Sequence, residues 1–105
     1  MKLPGIEWDE PKARDNITNH HLSFDVAQYA LFDPERLERV DHSESNTTTE
    51  NRWQVLGKVG KIIFAIYEDK GQVKRLISAW FAEKQERRVY NGYYEEGYEN
   101  WYHDT

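Results

Sequence analysis

Between Arg52 and Ile77 the chain alternates runs of strand-forming residues with glycine-marked breaks, and no other stretch limits the possible folds as tightly. Trp53, Val55, Leu56 and Val59 are followed by Ile62, Ile63, Phe64, Ile66 and Tyr67, then by Val73, Leu76 and Ile77. Gly57, Gly60 and Asp69-Lys70-Gly71 punctuate them. β-Branched and aromatic residues in short, punctuated runs read as strands joined by tight turns. The expectation is a three-stranded antiparallel meander with Gly60-Lys61 at one hairpin. The middle run is apolar on both faces, so each side of it needs a cover.

The preceding residues can cover one face. Asp9 is a candidate N-cap and Pro11 suits a first helical turn, so a helix is expected to begin there and run through Lys12 to Asn19. Ala13, Ile17 and one of His20 or His21 form its thin apolar stripe. Ser23 can cap a second helix that buries Phe24, Ala27 and Leu31 before Asp33-Pro34 stops it. Leu37 to Val40 suits an edge strand or one more turn, and the polar stretch from Asp41 to Asn51 is expected to be a mobile loop. After the meander, Ala82 to Asn91 reads as a charged helix ended by Gly92, with Lys84, Arg87 and Arg88 facing outward. The expected fold class is α+β: two N-terminal helices on one face of a twisted antiparallel sheet, followed by a C-terminal helix. A single domain is expected over residues 1–91, with residues 92–105 as an acidic aromatic tail.

A chain of 105 residues holds one core. It has no cysteine, which removes disulfides, thiolate metal sites and cysteine nucleophiles and suits a reducing cytoplasm. No run approaches the roughly 20 apolar residues of a membrane span. The start, MKLPGIEWDEPK, lacks the apolar core of a signal peptide, so a cytoplasmic protein is expected. The net charge of -5 argues against a general nucleic-acid binder, but the charge is uneven. Residues 1–57 hold 6 basic and 11 acidic side chains, residues 58–91 hold 8 and 4, and residues 92–105 hold 4 acidic and none basic. The basic segment is either ordinary solvated charge or a binding face. His20, His21, His42 and His103 match no compact ligand spacing, so neither a metal nor another cofactor is expected.

Trp8-Asp9 with Lys12, Asn16 and His20, Ser23-Phe24 with Ala27, Phe32-Asp33, Arg52-Trp53 with Gly57, Tyr67, Arg75, Ile77-Ser78-Ala79, and Glu86-Arg87 with Tyr90 follow one another in a telling order. Together they resemble the BrnT toxins over residues 6–90. The resemblance implies a RelE-like fold and a ribonuclease toxin of a type II toxin–antitoxin pair. Such a toxin inhibits translation and is neutralised by a BrnA antitoxin, which binds it and represses their shared operon. DNA would be met only through the antitoxin, the membrane not at all, and a dimer or a toxin–antitoxin heterotetramer would be compatible. Departures are visible. The family run usually continues Ile-Ser-Ala-Arg, whereas Trp80 follows Ala79 here; Asn19 stands for a family lysine; and the tail extends past the usual end. These departures suit a rival reading, a divergent interaction module that keeps only antitoxin binding.

RNA cleavage without a metal needs a base for the 2′-hydroxyl proton, cations for the charge that builds on the phosphate, and an acid for the leaving 5′-oxygen. Under the resemblance, Glu86 or His20 is the candidate base or acid, Arg52, Arg75 and Arg87 are candidate phosphate clamps, and Tyr90 is a proton donor or ring platform. Lys61, Lys74, Lys84 and Arg88, with the ring of Trp80, are the candidate RNA contacts. Each also has a structural role open to it. His20 can complement a helix C-terminus, Glu86 and Arg87 can lie on a solvated face, Arg75 can pair with Glu68 or Asp69, and Trp80 can be core. Loss of the family arginine at position 80 predicts feeble activity, which Trp80→Arg is expected to raise. The five rings of Tyr93, Tyr94, Tyr98, Trp101 and Tyr102 either complete the core or a dimer contact, or mask a basic groove.

Overall fold

The computed structural model describes residues 1–41 and 51–103. For residues 42–50, the loop expected at 41–51 lies outside the described residues, as does His42. The meander predicted from the glycine punctuation is present as β3 (Arg52–Val59), β4 (Lys61–Asp69) and β5 (Lys74–Phe81). Three further strands extend it. β1 (Ile6–Trp8) pairs with the start of β5, β2 (Leu37–Val40) pairs with β3, and β6 (Tyr102–His103) pairs with β2. The order is β1-β5-β4-β3-β2-β6. Two expectations are corrected. The β1–β5 pair is parallel, so the sheet is mixed rather than antiparallel, and β2 is not an edge strand because β6 lies outside it. Three residues are too few for alternation to announce β1, which forms because Ile6 and Trp8 insert into the core while Glu7 stays half-buried on the other face.

α1 (Glu10–His20) starts at Asp9, whose side chain accepts from the Lys12 N–H at 3.3 Å, and ends at His21 in the left-handed region. Ser23 caps α2 (Phe24–Ala27), a single α turn that tightens into a 3-10 helix over Gln28–Phe32. The expected second helix is thus one α turn followed by a tighter coil. Phe24, Ala27, Ala30 and Leu31 pack with Val55, Ile63, Ala65, Tyr67, Leu76 and Ala79 on this face. Burial of each large aliphatic or aromatic side chain there is worth about 1.5–3 kcal/mol. The approach is so close that a Cβ on Gly57 would lie 2.2 Å from the Ala30 carbonyl oxygen. None of the helices among the described residues is long and apolar enough to cross a membrane.

The opposite face carries a second cluster of Leu37, Leu56, Phe64, Ala82 and Val89, flanked by Ile62, Ile66, Trp80, Tyr90, Tyr98 and Trp101. α3 (Lys84–Tyr90) covers part of it, and Gly92 turns the chain at a φ of 92°. The acidic aromatic segment then returns over the same face. Tyr98 and Trp101 pack on the second cluster and β6 joins the sheet, while Tyr93 and Tyr94 remain exposed.

Candidate functional site

Strand register builds the α3-side face in rows. Trp80, Phe64, Leu56 and Leu37 lie side by side across β5, β4, β3 and β2; Ser78, Ile66, Gln54 and Arg39 form the next row; Arg75, Glu68 and Arg52 form the one beyond. Side chains alternate strictly between faces, so a bulge at Ile66/Tyr67 is what brings Arg75 to the same side as Trp80. Arg52 and Arg75 therefore flank Glu68 on one face. They stand about 13 Å from the Trp80 row, four residues along β4. Arg75 donates to Glu7 at 2.6 Å across the parallel pair, a partner unavailable to any reading that lacked β1.

At the other end of the face, the Trp80 ring stacks on Phe64, with centroids 4.6 Å apart and planes 9° apart. The His20 ring, at the end of α1, lies 5.6 Å from Trp80 around the outer edge of β5. Glu86 is only 5 % exposed, and its carboxylate accepts from the Glu83 N–H at 2.8 Å. Burial pushes the Glu86 carboxyl up from its usual range, against the pull of the Glu83 N–H, the Trp80 indole and the Arg39 charge. Glu86 is thus an inward side chain of α3 rather than part of a solvated helix face.

The remaining candidates do not join this group. Arg87 donates to the Ala82 carbonyl at 2.7 Å, Arg88 to Glu95 at 2.5 Å, and Lys84 is exposed on α3. The Tyr90 hydroxyl donates to Asp33 at 2.5 Å, and burial together with that carboxylate holds the phenol above its ordinary value. Lys61 lies over the Phe81 ring and Lys74 over the Tyr67 ring, at opposite ends of β4 some 26 Å apart. Both point to the α1 side of the sheet, because each pairs in register with a residue of that side.

Three residues carry more of the architecture than sequence reasoning assigned them. Asn16 is 5 % exposed and its side chain donates to the Ala79 and Leu22 carbonyls at 2.8 and 2.9 Å while accepting from the Ala79 N–H at 3.1 Å. Asp33 accepts from Tyr90, from the Lys58 N–H at 2.7 Å and from the Glu35 N–H at 2.9 Å. Burial tends to raise the Asp33 carboxyl, but these bonds and the Arg36 charge outweigh it and hold it below its usual value. Arg39, whose only sequence signal was a cation in a short strand, donates to Gln54 at 2.7 Å and lies 4.5 Å over the Trp101 ring.

Comparison with known proteins completes the picture. No curated protein matches the chain. The sequence model of one family, described as the ribonuclease toxin, BrnT, of type II toxin–antitoxin systems, matches residues 8–86. That span runs from the end of β1 into α3. It includes Arg39, Arg52, Arg75, Trp80 and Glu86 and stops short of Arg87, Tyr90 and the docked aromatic segment. Covering most of the chain and the whole meander, the match shows that this protein belongs to the BrnT family of ribonuclease toxins, whose type II systems pair a toxin with an antitoxin.

Proposed function

We propose that the protein is a metal-independent endoribonuclease of RelE-like fold that inhibits translation in the cytoplasm, with RNA lying along the α3-side face of the sheet. The family match over residues 8–86 carries the reading. The site supports it with chemistry that needs no ion. Arg52 and Arg75 share one face and can hold a backbone phosphate of the RNA through their guanidinium N–H groups, about 13 Å along the strand direction from the Trp80 end where Glu86 and His20 lie. A carboxyl whose hold on its proton is strengthened by burial, Glu86, suits proton transfer: a base removes the 2′-hydroxyl proton, the 2′-oxygen bonds to phosphorus, the bond to the 5′-oxygen breaks, and that oxygen takes a proton. His20 beside Trp80 is the second proton carrier. Trp80 supplies a ring where relatives are expected to supply a cation. A missing donor of that kind costs about a hundredfold in rate. A BrnA-like antitoxin neutralises the toxin by covering the basic stretch from Lys58 to Arg88, and DNA is reached only through that partner, in a dimer or heterotetramer.

Induction of the protein without a partner tests this. Growth arrest, relieved by Arg75→Ala or Arg52→Ala and by co-expression of the antitoxin, is expected, together with cleavage of single-stranded RNA by the purified protein in excess EDTA. Undisturbed growth with no RNA cleavage at any enzyme concentration would overturn it.

A further inference from the structure

The segment after α3 is bound to the candidate RNA face by ring contacts and by hydrogen bonds from a guanidinium. The ring of Trp101 stands edge-on to Phe64, with centroids 5.8 Å apart, and so covers one side of the Trp80–Phe64 stack. The Arg39 guanidinium lies 4.5 Å from the centroid of Trp101 and 5.7 Å from that of Tyr98. One of its nitrogens donates to the backbone carbonyls of Glu99 at 3.1 Å and Gly97 at 3.4 Å. Base stacking on aromatic rings with a guanidinium on the adjoining phosphate is how single strands are held without sequence preference. Here the same rings and the same cation are taken up internally.

We propose that Arg39 is a phosphate-binding residue of this face and that residues 93–103 are a tethered competitor for RNA, Trp101 standing in for a base and the Gly97 and Glu99 carbonyls for phosphate oxygens. The inference rests on the RNA-directed reading given above. Its occupant is argued from charge and attachment. The segment brings the Glu99 charge close to Arg39 and pairs Glu95 with Arg88 of α3, and its sheet pairing involves only two residues of β6. Tyr93 and Tyr94 stay largely exposed, so the docked state rests on Trp101, Tyr98, the edge contact of Tyr102 with Trp53, the β6 pairing and the Arg39 and Arg88 contacts. A weak contact suffices for a tethered competitor, because a short linker holds it at an effective concentration in the millimolar range.

The test is RNA binding by the full-length chain, read as fluorescence anisotropy of a labelled single-stranded RNA 12-mer of mixed sequence in low and moderate salt. Trp101→Ala removes the base-like ring, and Tyr102→Pro opens the β6 pairing at a half-exposed position. Either one, if folded by circular dichroism, is expected to bind about tenfold more tightly than the parent chain. Adding Arg39→Ala to either is expected to abolish the gain. Undocked, folded variants that bind no more tightly, or whose gain survives Arg39→Ala, overturn the proposal. In that case Arg52→Ala and Arg75→Ala still weaken binding if the RNA-directed reading is right. If none of these proteins binds the RNA at low salt, that reading falls and takes the proposal with it.

Discussion

The two faces of the sheet are built on different rules. On the α1 side, small and aliphatic residues interlock with the helices, Gly57 admits Ala30 against its backbone, and Asn16 spends its side-chain amide on three main-chain groups. On the α3 side, the apolar row from Trp80 to Leu37 gives way within two rows to Arg39, Gln54, Glu68, Arg52 and Arg75, and the cover is one short helix and a strap. Close packing fixes the first face. The second is a surface of rings and cations whose cover is held by fewer apolar contacts. The contrast places the closer packing on one side of the sheet and the rings and cations on the other.

Substitutions sharpen that contrast in order of their expected cost. Gly57→Ala should destabilise the most, by about 3 kcal/mol or more, because its methyl meets backbone rather than a movable side chain; urea unfolding reads this directly. Asn16→Leu leaves buried backbone groups unpaired and should cost about 2–3 kcal/mol on the same scale. On the other face, Trp80→Arg should lose about 2 kcal/mol with the Phe64 stack, so any gain in cleavage has to be measured at matched folded fractions. Arg75→Ala should change stability by less than about 1 kcal/mol, since the Glu7 pair is partly exposed, while lowering RNA cleavage about tenfold or more. Equal losses of stability from Gly57→Ala and Arg75→Ala would break the division between faces.

Acid titration gives the smallest and most diagnostic effect, because two carboxylates differ in sign. Asp33 is held below its unfolded value, so its contribution is present above about pH 4 and lost as pH falls through the folded value. Glu86 is raised, so its contribution is present below its unfolded value and lost as pH rises through the folded one. Melting curves should therefore show Asp33→Asn costing most near neutrality and little in strong acid. Glu86→Gln should raise the melting temperature near neutrality and leave it unchanged in acid.

What could be read from the sequence follows from how local each signal is. The caps at Asp9 and Ser23 and the Gly60 hairpin act within a few residues and were legible. β1 and β6 depend on partners tens of residues away, and so does the use of Arg39, whose ring contacts come from the far end of the chain. Among the candidate site residues, Arg52 and Arg75 were legible as cations but not as neighbours, because the bulge that sets the parity of Arg75 leaves no mark in composition. Lys61 and Lys74 carried the same charge in the sequence, yet alternation sends both to the other side. Trp80 was legible only as a missing cation; its stack on Phe64 required the register.

The Asn16 side chain has a consequence for the behaviour of the protein at high concentration. β1 pairs only with residues 74–76 of β5, and farther along that rim the amide of Asn16 takes up both the N–H and the carbonyl of Ala79, as a neighbouring strand would. A bare strand margin is a template on which further copies can grow. One carboxamide thus acts as a stopper, occupying at Ala79 the backbone groups on which an added strand would otherwise pair.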